Sequence, residues 1–574
     1  MISISLLLMG WLRSWYVSGV DINQEYQIFQ LIKENGYWSM SLFHHAYNAC
    51  LSVSILPVIL SNFLKINDQY IFKLIIPLIF SFVPVIIYFI SKKFVKNYFA
   101  FLASLFFVSQ PTFLIWWWIP IRQEVAFLFF ALAILILFDE KISLTIKRIL
   151  FIIFGFSMIV SHYSTTYIAL GIFIITYIIV YFFRKTNKTK IFSKIYKKIN
   201  LSDTIKSKKS YYINGLSLIL IIIFALFWNF QVTESSSNVV YFVENSFKNM
   251  RDIFSQEVQA EGQSLFDQFN IFYKQKSVLN VLREYSDSIT KVYLNKYSNS
   301  DFYSQNTYSN YNIRQKISPG IPYKFDTKTI LIIYSIREFI KVLGKILVIV
   351  GIVYMVFQMR NKNRDIEYLT LKIAGFIALS IIIILPFSSI SYDLVRTYQQ
   401  TLILLSLPAI LGGWILFKFF RKNYRIIILT IFLLIYFLFL SRFIQQGVGG
   451  PDITMGLNNE GIEYDVYYVH KTEVISGNWL FNNYDKNNLI YLDKRAISKV
   501  ELSTPPKFTT KIAQDVLPSI IKESDYVYLS YANVFDGIAF KTIKGNTLSY
   551  NYPTEFLNQN KNLIYNNGGS EIFK

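Results

Sequence analysis

The sequence predicts an α-helical multi-pass membrane protein, with about eleven transmembrane helices and a small α/β domain at its C-terminal end. Three observations carry that class. Only 16% of the 574 residues are charged and 53% are apolar, with a mean hydropathy of +0.37; soluble chains carry about 25% charged residues. The apolar residues come in runs approaching the ~20 needed to cross the hydrocarbon core, where a backbone must be helical to satisfy its own amides. The net positive charge is concentrated in a few of the loops between those runs.

The first run, Ile2 to Leu12, is read as a first helix that runs from inside to outside. It lacks the basic leader and small-residue cleavage site of a signal peptide. Further spans are expected near 71–91, 97–115, 120–138, 147–163, 165–183, 212–230, 342–359, 366–388, 399–417 and 424–441. Alternating them puts 92–98, 139–148, 184–211, 358–372 and 418–425 on one side. Those segments hold 24 basic and 5 acidic residues, against 33 and 31 in the rest of the chain. The net charge of +21 is therefore a positive-inside topology signal, and it argues against a nucleic-acid partner.

With the N-terminus cytoplasmic, residues 1–441 form a transmembrane domain with two large outer loops, 18–70 and 231–328. Residues 442–574 form an outer domain. Leu42 to Leu64, broken by Pro57, reads as a re-entrant or interfacial helix. Helices are expected at 239–256 and 276–297 in the second loop. Thr329 to Phe357 reads as a helix too long for the bilayer, with Arg337, Lys341 and Lys345 on one face. In the last region 488–493 and 525–530 read as strands, 470–483 and 510–523 as helices, and 562–573 as a hairpin turning on Asn567-Gly568. A lone cysteine, Cys50, excludes an internal disulfide.

The residues suited to chemistry lie at the outer ends of spans. Asp21 and Glu25 are four apart, so on a helix they share a face; Asp21 also reads as an N-cap with Gln24 closing a capping box. Arg122 follows Pro120, and Arg396 opens a later span. With Arg337 they are candidates to hold phosphate through a planar fork of donors, unless they only snorkel to headgroups. His162 and Tyr163 fall in the turn Ser161-His-Tyr-Ser-Thr165, where His162 either orients a substrate group or is a hydrogen-bonded interfacial histidine. His44 and His45 are adjacent, His470 stands alone, and no cluster has structural-zinc spacing. Trp116 to Trp118 fit an interfacial belt.

An acidic residue just after the first span, a second four residues on, an aromatic and then Gly36 resemble the first outer loop of the GT-C superfamily, the membrane glycosyltransferases that use polyprenyl-phosphate sugars. Gly19-Val-Asp21-Ile-Asn-Gln-Glu25-Tyr26, Ser161 to Thr165, Arg396-Thr-Tyr-Gln-Gln400 and Ile564 to Gly568 make the chain similar to an uncharacterised family of archaeal multi-pass membrane proteins. The resemblance implies a GT-C-like fold in the cell membrane and inverting transfer of a sugar from a polyprenyl-phosphate donor to a glycan or lipid hydroxyl. It implies Asp21 as base, with Glu25 behind it, and it admits a magnesium or manganese ion at Asp21 and no other cofactor. The Trp-Trp-Asp-Tyr-Gly motif of the superfamily's oligosaccharyltransferases is missing, which favours a single-sugar transferase. Two other classes compete: a transporter or flippase for a lipid-linked or anionic cargo, and a non-catalytic envelope assembly protein.

Overall fold

A computed structural model describes residues 1–114, 120–186, 212–234, 278–296, 302–303, 324–358, 365–384, 394–449, 459, 461–543 and 546–574. The helices of eight or more residues are α1 (Ile2–Trp11), α2 (Val20–Asn35), α3 (Leu51–Leu64), α4 (Asp68–Lys92), α5 (Asn97–Val108), α6 (Ile121–Leu137), α7 (Leu144–Ser161), α8 (Tyr163–Thr186), α9 (Gly215–Val232), α10 (Val278–Lys296), α11 (Thr327–Gln358), α12 (Ile366–Ile384), α13 (Leu394–Leu416), α14 (Lys422–Leu440), α15 (Lys471–Asn483) and α16 (Lys494–Glu501). Among the described residues eight are long and apolar enough to cross a bilayer: α4, α7, α8, α9, α11, α12, α13 and α14. The three other expected spans are shorter helices. α1 has 10 residues, α5 has 12 and α6 has 17. The expected span at 97–115 stops at Val108, and a separate turn of helix begins at Pro111. Trp116 to Trp118 and the expected helix at 239–256 lie outside the described residues.

Two expectations about helix ends change. Pro57 sits inside α3 without ending it. α2 is capped by Gly19, whose φ of 140° is open to glycine alone, so Asp21 lies in the first turn and is not the N-cap.

α13 is the most enclosed of the eight spans. It packs closely on α11, because a Cβ on Gly351 would stand 1.7 Å from the Pro408 carbonyl oxygen, and one on Gly412 would stand 2.0 Å from that of Leu347. Small residues at such crossings let backbones approach where lipid supplies no hydrophobic drive. Pro408 lacks an amide hydrogen, so the Leu404 carbonyl has no i+4 donor in its own helix. The buried Lys372 of α12 supplies one, its Nζ donating to Leu404 O at 2.7 Å. A buried ammonium and a helix-interior proline, each costly alone, thus offset each other.

The described ends of several of the basic segments meet at one end of the bundle. Phe94 stacks on Tyr368 with ring centroids 3.4 Å apart, and Phe138 meets Tyr368 edge-on at 5.2 Å and Tyr212 at 5.6 Å. Lys93 pairs with Asp139 at 3.3 Å. The starts of α2, α6, α8 and α13 lie at the other end, where the C-terminal residues pack.

Those residues form a five-stranded sheet ordered β2-β1-β3-β7-β6, from β1 (Ile490–Tyr491), β2 (Ile512–Ala513), β3 (Tyr526–Leu529), β6 (Leu563–Asn566) and β7 (Glu571–Phe573). β1 runs parallel to β2 and β3, and β7 is antiparallel to β3 and β6. A second pair, β4 (Ile538–Ile543) and β5 (Asn546–Asn551), stands apart. The expected α/β character holds, as does the hairpin at Asn567-Gly568, where Gly568 takes φ 84°. The expected helix at 510–523 does not form: that stretch contributes β2 and then turns, and it buries Val516, Leu517, Ile520 and Ile521 against Tyr491 and Val527. The sheet needed a neighbour for β1 more than the local pattern needed a helix. From the second loop, α10 docks on the same unit, Tyr285 Oη donating to Asp515 Oδ1 at 3.1 Å and Phe302 bridging Lys522.

Three substitutions test the packing at α13. Gly351→Ala should destabilise the detergent-solubilised protein by about 1–3 kcal/mol through overpacking, seen as a lower melting temperature. Lys372→Leu should cost about 1–3 kcal/mol by orphaning the Leu404 carbonyl. Adding Pro408→Ala, which restores the helical donor, should recover most of that loss.

Candidate active site

The site is built on the first turns of three helices. α2 is amphipathic in an unusual sense: one face carries Asp21 and Glu25, and the opposite face carries Asn23 and Gln27. The second face is fixed to the C-terminal unit. Asn23 Nδ2 donates to Ser498 O at 2.7 Å and Gln27 Nε2 to Thr504 O at 2.6 Å. The segment before α2 is held there too, through Ser14 Oγ to Val469 O at 2.9 Å and Val469 N to Ser18 Oγ at 3.0 Å. The first face is thereby turned toward α6 and α13.

There the two expected carboxylates meet two of the three expected arginines. Arg122, whose side chain is 2% exposed, donates through Nη1 to Glu25 Oε1 and through Nη2 to Asp21 Oδ2 at 3.2 Å. The backbone amide of Ile121 donates to Glu25 Oε2 at 2.8 Å. Pro120 caps α6 with no amide of its own, so a carboxylate at this N-terminus meets the Ile121 amide directly. Arg396 of α13 donates through Nη2 to the same Asp21 Oδ2 at 2.9 Å. It is 28% exposed and Asp21 is 23% exposed, so this pair faces solvent while Arg122 and Glu25 are sealed behind it. The Arg122 guanidinium also lies over the Tyr47 ring, 3.6 Å from its centroid.

Burial acts on both carboxylates and the outcomes differ. At Asp21 burial favours the neutral acid, but the charges of Arg122 and Arg396 outweigh it and hold the carboxyl below its usual range. At Glu25 burial prevails over Arg122 and the Ile121 amide, and pushes the carboxyl up to about 7. Burial, helped by Arg122, pushes His45 down to about 4, so it stands beside the cluster as a neutral ring.

The other expected residues are placed less centrally. His162 is buried at the break between α7 and α8, with Nδ1 2.7 Å from Thr165 Oγ1. Gln400 Nε2 donates to Thr165 O at 2.9 Å, which ties this turn to the helix that carries Arg396. Tyr163 is half-buried next to His162, with ring centroids 5.3 Å apart. Arg337 is half-buried on α11 and is not among the cations that reach Asp21 or Glu25. Asp21 Oδ2 already faces two guanidinium groups, and at Arg396 such a setting suits an anion. Among the described residues no group of three or more His, Cys, Asp or Glu is placed to hold a metal ion.

Two neighbours escaped the sequence reading. Tyr47 carried no local signal, since its role depends on a guanidinium 75 residues away in the chain. Glu501 ends α16 in the C-terminal unit, close enough to Asp21 for the two charges to repel.

A family described as "Predicted membrane protein (DUF2206)" matches residues 147–310 and 325–573. The chain belongs to that family. No curated protein matches it. Solved structures of an oligosaccharyltransferase from Archaeoglobus fulgidus are similar in outline. Its apo form is 10% identical, with 93% of this chain and 69% of that one covered and a TM-score of 0.47. The archaeal oligosaccharyltransferase AglB in complex with an inhibitory peptide and a dolichol-phosphate is 12% identical, with 96% and 74% covered and a TM-score of 0.41. The complex with Zn and sulfate is 10% identical, with 97% and 73% covered and a TM-score of 0.41. Likeness at this level assigns no activity to this member of the family.

The buried half of the cluster gives a stability test. Arg122→Met should cost about 3–5 kcal/mol, because Glu25 is left buried without its cation. The double change Arg122→Met with Glu25→Leu should melt closer to the parent than Arg122→Met alone.

Proposed function

We propose that this protein is a membrane glycosyltransferase that moves a sugar from a polyprenyl-phosphate carrier to an acceptor hydroxyl on the outer side of the membrane, with inversion at the anomeric carbon. The observation that carries the reading is the shared oxygen of Asp21. A solvent-reachable guanidinium, Arg396, is held at the end of a span by a carboxylate that a phosphate group can displace. A second guanidinium, Arg122, is locked in place behind it. The loop that supplies Asp21 is the one that resembles the GT-C superfamily, and the described ends of several of the basic segments lie at the far end of the bundle.

In this reading the donor phosphate takes the place of Asp21 on Arg396 by a charge-assisted, two-pronged contact. The carbon–oxygen bond between sugar and phosphate breaks as the acceptor oxygen attacks the opposite face of the anomeric carbon. Arg396 stabilises the charge on the departing lipid phosphate, and Arg122 keeps α2 and α6 from shifting as it develops. Asp21, expected as the base, is released from Arg396 but still held by Arg122. That makes it a strong hydrogen-bond acceptor and a weak proton acceptor, suited to orienting the acceptor hydroxyl. The C-terminal unit, packed along α2, forms the other wall of the acceptor's approach.

The test is transfer by purified protein from a panel of radiolabelled polyprenyl-phosphate sugars. The parent should transfer one of them. Arg396→Ala should raise the donor KM by roughly 10- to 100-fold, and Asp21→Asn should lower kcat by roughly 100-fold or more. No transfer by the parent from a panel that contains the native sugar would sink the reading.

A further inference from the structure

The cluster offers a place to the phosphate of a sugar donor, but none so far to the sugar. Between α2 and α3 the chain makes a short loop, residues 37–50, built around one buried side chain. Asn48 is 0% exposed, and its Nδ2 donates to the carbonyls of Ser39 at 2.9 Å and Phe43 at 3.0 Å. Its own carbonyl accepts from Trp38 Nε1 at 3.0 Å. A compact loop whose backbone groups are satisfied from within can hold its outer side chains in set positions.

Two of those side chains form a corner against the cluster. The Tyr47 ring lies on the Arg122 guanidinium, its centroid 3.6 Å from the central carbon, and that guanidinium reaches Asp21 Oδ2 at 3.2 Å. The His45 ring meets Tyr47 edge-on at 4.7 Å, and Phe43 stacks on His45 at 5.3 Å. The Tyr47 amide donates to His45 Nδ1 at 3.2 Å, which assigns the ring hydrogen to Nε2. The His45 carbonyl accepts from the Asn48 amide at 3.0 Å. The ring is therefore held through its carbonyl, its Nδ1 and its stacking, and Nε2 is left to meet a ligand. Neither His45 Nε2 nor Tyr47 Oη has a hydrogen-bond partner among the described residues, and both residues are half-buried with these atoms open to solvent.

We propose that this corner is the subsite of the sugar to be transferred: His45 Nε2 donates to one of its hydroxyl oxygens, Tyr47 Oη hydrogen-bonds a second, and the pair selects the sugar. The reading rests on the glycosyl transfer proposed above. An uncharged ring nitrogen and a phenol are weak ligands for a phosphate that has Arg396 at hand. They suit a neutral polyol, whose hydroxyl groups both donate and accept and whose C–H surface packs on aromatic rings. The corner stands on the carboxylate face of α2, whereas the C-terminal unit holds the opposite face at Ser498 and Thr504. That separates it from the wall assigned to the acceptor. Burial, helped by Arg122, keeps the His45 ring neutral, which preserves both the Nδ1 bond within the loop and the single donor.

The experiment measures kcat/KM for the polyprenyl-phosphate sugar that the parent transfers best and for each of its mono-deoxy forms, with Tyr47→Phe and His45→Phe beside the parent. A site that hydrogen-bonds a hydroxyl discriminates against the analogue that lacks it, so the parent should use two of the deoxy forms roughly 10- to 100-fold less well than the full sugar. Tyr47→Phe keeps the ring on Arg122. It should lose a similar factor on the full sugar and no longer distinguish it from one of those two forms. His45→Phe should lose the distinction at the other hydroxyl. Melting temperature and binding of unglycosylated polyprenyl phosphate should stay near the parent's in Tyr47→Phe, which separates a lost sugar contact from a disturbed cluster. A parent indifferent to every hydroxyl, or variants that keep its preferences whether or not their rates fall, overturn this inference and leave the transferase intact. A parent that transfers no sugar overturns both.

Discussion

Four charges hold the working end of this molecule together: Asp21 and Glu25 on α2, Arg122 on α6 and Arg396 on α13. Burying a carboxylate or a guanidinium alone is prohibitively costly, and pairing offsets the cost only when the geometry is close and the remaining donors are satisfied. That requirement reaches well beyond the four residues. It forces the starts of α6 and α13 to the same height as α2, and it uses the free amide at the start of α6 as a second ligand to Glu25. It also fixes the rotation of α2, since the carboxylate face can turn inward only if Asn23 and Gln27 find partners on the other side. Those partners are backbone carbonyls of the C-terminal unit, so the helical and α/β parts are joined through the site itself.

The cluster is graded from a sealed interior to an open edge. Arg122 and Glu25 are enclosed, while Asp21 and Arg396 are partly exposed. A site that must bind and release a charged group gains from this division. In the proposed transfer the guanidinium that exchanges partners is already desolvated on one side, and its neighbour would keep the helices in register. The span that carries Arg396 is well suited to the task. α13 is clamped by the close glycine crossings with α11 and by the Lys372 bond to the carbonyl that Pro408 leaves without a donor. Its first turn therefore has a firm base.

Two more elements extend the site beyond the bundle. The 14–18 segment and α2 are tied to Val469, Ser498 and Thr504, and α10 of the second large loop is tied to Asp515 and Ser519. The C-terminal unit thus gathers segments separated by hundreds of residues. Within it, the buried pair of Lys499 and Glu473, 2.7 Å apart, fastens α16 to α15.

Much of this molecule was legible before folding. The long apolar runs fix helices in lipid, because no other backbone arrangement satisfies its amides there, and the asymmetry of lysine and arginine sorts the loops into two sets. The structure gathers several loops of the basic set around Phe94, Phe138, Tyr212 and Tyr368. The period of four residues between Asp21 and Glu25 shows a shared helical face, and arginines at the ends of spans are visible as isolated charges beside apolar runs. What the sequence could not decide is who faces whom. Arg122 reads as a free phosphate ligand until α6 is set against α2, where it becomes the buried partner of two carboxylates. The 510–523 stretch reads as helix until the sheet recruits it. Tyr47 reads as nothing at all. Its place comes from a contact across 75 residues of chain, and desolvation, which separates the proton affinities of Asp21 and Glu25, is a property of the assembled surroundings and not of the side chains. Local periodicity determines which residues share a face; only tertiary packing determines what that face meets and how much water remains there.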